Sequence, residues 1–498
     1  MNALELGRRA RIVAGPASFA LVWWLLPDRF TAADGSMGEL SGAGRATVAM
    51  MAWMAVWWLS EAVAIEATAL LPVALFPLLG IAGIAQAAAP YASDVVFLFL
   101  GGFMLAAALQ RWGLDRRIAF AVLARVGSRP AQLLGGLMIA TAFLSMWVSN
   151  TATAAIMMPI AISLAGLWGD GESDAGLAPA LVLAVAYAAS IGGMATLIGS
   201  PPNGIAARFI AQASGEPISF AHWMLIAAPA AALMLLACWW WLARRLPHGA
   251  GAGRHAPDAR AAIAEAAARL GPMSRGARTT LAVCAATAAL WIFRPVLVTL
   301  ELAGSRPLAG LSDAGIAIGA ALALFVLPAD RATTGKPATR LLDWASASRL
   351  PWGVLVLFGG GLSLAAAIEA NGVAEFVGAQ SVNLAGWPPL LVLVVVLAIT
   401  IFLSELTSNT AQAATMIPLL AAMAAGLGLD PALLIVACAL GSSCAFMMPV
   451  GTPPNAIAFG TGLVSMQRMW RTGFVLNLIA IAVLGAVISL WVPAVYGR

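Results

Sequence analysis

Two sets of small polar residues recur in the same order in the two halves of the chain. The first is Ser149-Asn150-Thr151, followed by Gly199-Ser200-Pro201-Pro202-Asn203. The second is Ser408-Asn409-Thr410, followed by Gly451-Thr452-Pro453-Pro454-Asn455. A single Ser-Asn-Thr tripeptide carries little information. Two of them, each followed by Gly-x-Pro-Pro-Asn, indicate an internal repeat with a shared function.

The residue types in both sets suit a cation and a carboxylate. Hydroxyl and amide groups donate hydrogen bonds to a carboxylate, and their oxygens are ligands for a hard cation. Because proline lacks an N–H and breaks its helix, each Gly-x-Pro-Pro frees backbone carbonyls that suit Na⁺. A serine stands five residues before each asparagine, Ser145 before Asn150 and Ser404 before Asn409. The sequence therefore predicts a sodium site in each half.

Both sets lie in a chain whose composition suits a membrane. Of its 498 residues 61% are hydrophobic and 10% are charged, whereas about a quarter are charged in ordinary soluble domains. A bilayer-crossing helix needs about 20 apolar residues. The candidate spans are 12–27, 46–60, 65–84, 95–110, 179–199, 221–243, 279–299, 311–328, 351–370, 430–450 and 473–494.

Two further apolar stretches, 131–167 and 387–427, are interrupted near the middle by the Ser-Asn-Thr sets. We expect both to be re-entrant helical hairpins, whose open backbone at the tip must be surrounded by protein or a water-filled cavity. The tip residues can cap the second helix of each hairpin and direct its positive end towards an anion. The predicted fold is an all-α polytopic membrane protein, an inverted-repeat transporter with about eleven transmembrane helices and two re-entrant hairpins.

The positions of the arginines predict an orientation. With both hairpins re-entrant, the arginine-rich segments 111–129, 244–278 and 331–349 share the cytoplasmic side with the N-terminus, and the C-terminus lies outside. We interpret the N-terminal apolar run as an uncleaved span; a secretory signal is the alternative. An odd number of spans, five, separates the hairpins, so the halves are inverted.

The predicted organisation has four parts. They are an N-terminal span and outer loop at 1–45, a first inverted repeat at 46–245 with hairpin 131–167, a cytoplasmic basic linker at 246–278, and a second inverted repeat at 279–498 with hairpin 387–427.

Longer stretches resemble the divalent anion/sodium symporter family, which includes sodium-coupled dicarboxylate transporters. They are Trp57–Ala62, Ala67–Pro72, Gly101–Met104, Trp112–Leu114, Phe358–Leu362 and Ser442–Asn455. Ala458 departs from the family pattern, in which valine is more frequent. The resemblance implies a homodimer in a bacterial-type inner membrane and an elevator-type mechanism, in which a mobile part carries the substrate site past a fixed scaffold.

The resemblance also implies site residues, position by position. One sodium site would use Ser145, Ser149, Asn150 and Gly199, and the second would use Ser404, Thr407, Asn409 and Gly451. The substrate-binding residues would be Ser149, Asn150, Thr151, Ser200, Pro201, Ser408, Asn409, Thr410, Thr452 and Pro453. Because these motifs contain no lysine or arginine, co-bound Na⁺ and helix ends would have to offset the charge of a dianion.

We therefore expect sodium-coupled symport of a C4-dicarboxylate such as succinate, fumarate or malate. A dicarboxylate or citrate antiporter that does not use sodium is the alternative. Three carboxylates in or beside apolar runs, Glu61, Glu66 and Glu405, are functional candidates, but we favour structural roles for them over proton coupling. The sequence has neither an H-E-x-x-H nor a G-x-S-x-G motif and no basic stripe with aromatic residues, so we expect neither an enzyme nor nucleic-acid binding.

Overall fold

The computed structural model describes residues 3–31, 36–127, 129–166, 177–246, 259–301, 304–330, 339–381 and 386–496. Helices make up most of these ranges, which confirms the predicted all-α class. A small antiparallel sheet pairs strand β1 (Arg29–Thr31) with strand β2 (Met37–Glu39). Residues 247–258 of the predicted linker, and residue 167 of the first predicted hairpin, lie outside the described residues.

The described part of the chain begins with two long helices that pack against each other, α1 (Ala3–Leu25) and α2 (Gly42–Ser60). The indole N–H of Trp57 donates to the carbonyl of Ile12 at 2.9 Å and ties the two helices together. The residue after α2, Glu61, has a left-handed backbone with φ 46°. This conformation is uncommon for any residue except glycine, and it turns the chain sharply at the end of α2.

The stretch 65–84, predicted as one span, is not a continuous helix. The structure divides this region and the residues after it into three short helices, α3 (Ile65–Thr68), α4 (Leu71–Leu75) and α5 (Ile84–Ala88). Pro72 and Pro77 cannot donate backbone hydrogen bonds to a continuous helix, and Gly80 has a positive φ of 65°. Hydrophobicity alone therefore overestimated the regularity of this segment.

The first half continues through two helices, a hairpin and three further helices. The elements are α6 (Asp94–Arg111), α7 (Leu114–Leu123), α8 (Pro130–Ser145), α9 (Asn150–Gly166), α10 (Leu177–Met194), α11 (Pro201–Ser214) and α12 (Phe220–Ala243). Helices α8 and α9 are the arms of the first hairpin, and α10 packs against both of them. Every residue of α10 is buried, so this helix is the centre of the first half.

A short helix in the predicted linker and the first helices of the second half follow. The elements are α13 (Ala259–Arg269), α14 (Arg275–Leu297), α15 (Asp313–Val326), α16 (Trp344–Ala347), α17 (Trp352–Ala370) and α18 (Val373–Ser381). Arg117 in α7 donates hydrogen bonds to three carbonyls just after α13, those of Leu270, Gly271 and Pro272. The end of the linker is therefore anchored to the first half.

The rest of the second half repeats the hairpin and the three helices that follow it in the first. Its elements are α19 (Pro389–Ser404), α20 (Asn409–Leu427), α21 (Pro431–Ser442), α22 (Pro453–Gly460) and α23 (Met466–Tyr496). Helices α19 and α20 form the second hairpin, and α21 packs against both arms as α10 does in the first. Helix α11 of the first half contacts α20 and α21, so the two hairpin assemblies form one packed body.

Seven helices in the described ranges are long and apolar enough to cross a membrane. Six shorter apolar helices accompany them, among them α8, α9 and α19 of the two hairpins. A chain with this many apolar helices is a multi-pass membrane protein. The expected number of eleven crossings stays a prediction.

Candidate functional site

Each hairpin breaks at its Ser-Asn-Thr set. In the first hairpin α8 ends at Ser145 and α9 begins at Asn150. In the second, α19 ends at Ser404 and α20 begins at Asn409. The hydroxyl oxygen of Ser149 accepts the N–H of Ala152 at 3.3 Å, and that of Ser408 accepts the N–H of Ala411 at 3.5 Å. The tip serines thus cap the second helices, as the sequence predicts.

Behind the first tip lies a compact group of oxygens, which we call the first oxygen cluster. It consists of Ser145 Oγ, Asn150 Oδ1 and the carbonyl oxygen of Ala189. Ser145 Oγ is 2.7 Å from each of the other two oxygens. The hydroxyl has one proton, so it can donate to only one of these acceptors at a time. A second acceptor held at this distance makes the cluster rich in lone pairs, which suits a hard cation.

The second hairpin has the same arrangement, the second oxygen cluster. Ser404 Oγ lies 2.7 Å from Asn409 Oδ1 and 2.6 Å from the carbonyl oxygen of Ser442. Both serines are fully buried. Each cluster thus joins a hairpin tip to the central helix of its half, α10 or α21.

The Gly-x-Pro-Pro-Asn sets follow breaks in these central helices. Helix α10 ends at Met194, and α11 begins at Pro201. The amide nitrogen of Asn203 donates to the carbonyls of Gly193 and Thr196 at 2.8 and 2.7 Å. It therefore replaces helical hydrogen bonds that the break removes.

The same bonds occur in the second half, between α21 and α22. The amide nitrogen of Asn455 donates to the carbonyls of Ala445 and Met448 at 2.9 and 3.0 Å. Both asparagines are fully buried. Sequence reasoning gave them no role of their own, although their place in the duplicated motif was a visible signal.

The two tips and the two helix breaks surround one cavity of about 1090 Å³. Every predicted substrate-binding residue lines it: Ser149, Asn150, Thr151, Ser200, Pro201, Ser408, Asn409, Thr410, Thr452 and Pro453. Of the residues predicted for sodium, Ser149, Asn150, Gly199, Thr407, Asn409 and Gly451 line it as well. Ser145 and Ser404 do not line it but lie behind the tips, in the oxygen clusters. The structure thus brings the whole predicted set together; the roles of its members stay predictions.

Four helices begin at residues that line this cavity. They are α9, α11, α20 and α22, whose first residues are Asn150, Pro201, Asn409 and Pro453. The N-terminus of a helix carries a partial positive charge. Helices α9 and α20 can also present backbone N–H groups there, whereas α11 and α22 each begin with two prolines, which have none. Four such ends around one cavity favour an anion.

The cavity is also lined by residues from outside the two hairpins and the helix breaks, which sequence reasoning did not place there. Phe103 from α6, Arg349 before α17 and Glu61 after α2 line the cavity with the tips. The sequence marks Glu61 as a candidate carboxylate beside an apolar run but does not place it. It marks Arg349 only as one of the arginines of its segment, and nothing in the sequence connects it with the tips.

Glu405, directly after Ser404, is buried and holds the helix break of the second half. Its Oε1 accepts the N–H of Phe446 at 2.7 Å and its Oε2 accepts that of Met448 at 2.9 Å. Met447 N–H donates to both oxygens, and the amide of Asn477 donates to Oε1 at 2.8 Å. This arrangement supports the structural role that we favoured.

Comparison with known proteins identifies the family of the chain. A family model described as "Sodium:sulfate symporter transmembrane region" matches residues 21–497. The chain belongs to this family. The predicted membership of the divalent anion/sodium symporters is thereby confirmed. The "Sodium-dependent dicarboxylate transporter SdcS" of Staphylococcus saprophyticus is 38% identical to the chain over 505 residues, covering 99% of the chain and 93% of the relative. SdcS of Staphylococcus aureus (strain NCTC 8325) is 38% identical over 468 residues, with coverages of 92% and 88%.

Two solved transporter structures share the fold of this family member. The YdaH transporter of Alcanivorax borkumensis superposes with a TM-score of 0.60 at 15% identity, over 99% of this chain and 98% of that one. MtrF of Neisseria gonorrhoeae gives a TM-score of 0.55 at 10% identity, over 99% and 95% of the two chains. At these identities the likeness concerns the fold alone.

Proposed function

We propose that this protein is a secondary active transporter that moves a C4-dicarboxylate together with Na⁺. The observation that carries the proposal is the pair of matching oxygen clusters beside one cavity that four helix N-termini face. Relatives named sodium-dependent dicarboxylate transporters are 38% identical to it over most of the chain, which supports both the anion and the cation.

Succinate, fumarate and malate fit the chemistry of the cavity. The two carboxylates of such a substrate lie a few bonds apart, so one can meet Ser149, Asn150 and Thr151 while the other meets Ser408, Asn409 and Thr410. The N–H groups at the starts of α9 and α20 supply donors, and the hydroxyls supply more. Thr452 and Pro453, at the start of α22, would close the pocket on the second side.

Sodium would enter as co-substrate, one ion at each oxygen cluster. A dianion in a membrane interior is costly unless its charge is offset. Two Na⁺ beside the tips offset that charge, and each ion would complete its coordination with carbonyls near Ser149 and Gly199 or near Thr407 and Gly451. Substrate binding should therefore depend on sodium being present.

The arrangement of the helices supports an elevator-type cycle. The hairpins, α10–α12 and α21–α23 form the body that holds both oxygen clusters. The rest of the cavity lining includes residues from other elements: the end of α2, α6 and the segment before α17. A site between two such bodies can be carried across the membrane when one slides past the other. We further propose a homodimer, with the N-terminus in the cytoplasm and the C-terminus outside.

The decisive experiment is uptake of labelled succinate into proteoliposomes with and without an inward sodium gradient. We expect the gradient to drive accumulation, choline in place of sodium to abolish it, and malate and fumarate to compete better than citrate or sulfate. Succinate accumulation that does not depend on sodium but requires dicarboxylate inside the proteoliposomes would establish the antiporter instead. Hydrolysis or other conversion of the substrate without flux would overturn the assignment to transport.

A further inference from the structure

The cavity has two charged lining residues within the described chain, Arg349 and Glu61. All other residues that line it are polar and uncharged, or apolar. Arg349 lies between α16 and α17 and is exposed, and Glu61 lies at the turn after α2 and is also exposed. Both lie on elements outside the hairpins, so neither is carried by a hairpin.

These two residues lie on the arginine-rich face. Arg11 donates to the carbonyl of Ser60, the residue before Glu61, at 3.2 Å. Arg111, at the end of α6, forms an ion pair with Asp343 at 2.6 Å, six residues before Arg349. The cavity therefore reaches the face that we assign to the cytoplasm, and its rim on that side carries the two charges.

The guanidinium of Arg349 is available to a ligand. Arg340, earlier in the same arginine-rich segment, donates to the carbonyl of Val326, and Arg111 is engaged by Asp343 and Ser346. Among the residues that the structure describes, no ion pair or hydrogen bond engages the Arg349 guanidinium. An unengaged guanidinium at the rim of an anion site presents a planar set of donors that matches a carboxylate.

We propose that Arg349 captures one carboxylate of the dicarboxylate at the cytoplasmic rim and delivers the substrate to the hairpin tips. This inference rests on the proposed function and adds a specificity-determining residue to it. A dianion within a Debye length of the rim is attracted by Arg349 before it meets the uncharged donors of the tips. The carboxylate of Glu61 on the same rim repels the dianion and so weakens the attraction by Arg349.

The position of Arg349 makes its effect one-sided. It lies on a segment outside the hairpin body, so an elevator movement of the hairpins would separate the site from Arg349. Binding from the cytoplasmic side would then depend on this residue, and binding from the outer side would not. A residue that merely stabilised the fold would affect both sides alike.

The test measures succinate transport from each side in proteoliposomes of determined orientation, at low and high ionic strength. For Arg349→Gln we expect the cytoplasmic-side KM to rise about three- to tenfold at low ionic strength, with a smaller difference in high salt, because a rim charge acts on association and is screened. The maximal rate and the outer-side KM should stay within about twofold. Glu61→Gln should lower the cytoplasmic-side KM.

Two variants complete the design. Arg116→Gln removes the same charge from an exposed position in α7 that does not line the cavity, and it should leave both KM values unchanged. Arg349→Lys keeps the charge without the planar donors, so its KM should lie between those of the native protein and Arg349→Gln. If Arg349→Gln failed to fold, the KM of the Lys variant and the salt dependence of the native KM would still test the capture role of Arg349.

The outcomes separate the two proposals. A native protein without sodium-driven uptake would refute the proposed function. A native protein that transports, with an Arg349→Gln variant whose cytoplasmic-side KM equals the native value at low ionic strength, would refute the capture role alone. An equal rise of KM on both sides would also overturn it.

Discussion

The two halves build the same oxygen cluster but hold the neighbouring helix break by different means. In the first half Thr196 donates its hydroxyl proton to the carbonyl of Met146, and its Oγ1 accepts the N–H of Gly199 at 3.1 Å. In the second half the carboxylate of Glu405 receives three consecutive backbone N–H groups. Met146 and Glu405 are equivalent, because each directly follows the serine of its oxygen cluster.

This difference shows which parts of the repeat the site constrains. The serine, the tip asparagine and the asparagine after Pro-Pro keep both identity and hydrogen bonds. The residue after the cluster serine differs between the halves. In the first half its backbone carbonyl accepts a hydrogen bond from a threonine, and in the second half its buried carboxylate accepts the backbone N–H groups directly. The second half therefore depends on a buried charge where the first depends on neutral groups, and the halves should respond unequally to substitution there.

The largest expected effect is at this unequal position. Glu405→Leu leaves four buried or partly buried donors without their acceptor, at up to about 1–3 kcal/mol for each unsatisfied group. That sum is comparable with the roughly 5–15 kcal/mol stability of a typical domain. We expect a large fall in the melting temperature of the detergent-purified protein and loss of succinate uptake.

Met146→Leu is the matched control, because it replaces the equivalent side chain by one of similar volume. Such swaps usually cost less than about 1.5 kcal/mol, and the carbonyl that accepts from Thr196 remains. Equal melting temperatures for the two variants would mean that the carboxylate does not hold the helix break.

Where the two halves have the same hydrogen bonds, the same substitution in each half should have a similar effect on stability. Asn203→Asp and Asn455→Asp keep the side-chain shape but replace the donating amide by oxygens that face carbonyls. We expect each to destabilise the protein by more than about 1–3 kcal/mol, the cost of unsatisfied buried groups, measured as thermal unfolding without substrate. A tolerated change in one half only would show that the two breaks are not equivalent.

The oxygen clusters offer the next smaller test. Ser145→Ala and Ser404→Ala each remove one hydroxyl, and a hydrogen bond or ligand of this kind contributes about 1 kcal/mol or somewhat more. We expect the sodium concentration for half-maximal uptake to rise roughly five- to tenfold in both variants. Ser489→Ala, which removes a hydroxyl from α23 far from the cavity lining, should leave the sodium dependence unchanged. Unchanged sodium dependence in both cluster variants would argue against sodium at these positions.

The local features of the site could be predicted from the sequence, whereas the features that depend on tertiary packing could not. The tip residues and the helix breaks were predictable because each is a side chain or a proline with a direct local effect, repeated in both halves. The carbonyls of Ala189 and Ser442 were not, since any residue supplies a carbonyl and only packing selects which one meets the serine.

Arg349 and Glu61 illustrate the same limit on a longer scale. They are 288 positions apart in the chain. Only the packing of the elements that carry them against the hairpin body brings both into the cavity lining. The error at 65–84 is of another kind: the prolines were visible there, but hydrophobicity was given more weight than the backbone donors that proline removes.

The smallest expected difference concerns the two Gly-x-Pro-Pro turns. Thr452 Oγ1 accepts the N–H of Asn455 at 3.2 Å and caps α22, whereas the side chain of Ser200 makes no capping bond to α11. Thr452→Val should therefore destabilise the protein by about 1 kcal/mol, and Ser200→Ala should change its stability much less. Both residues line the cavity, so thermal unfolding without substrate is the appropriate measurement, and Thr452→Ser should retain most of the stability. Equal losses from Thr452→Val and Ser200→Ala would show that the cap in the second half contributes nothing that the first half lacks. The buried charge of Glu405 would then be the main energetic difference between the two repeats.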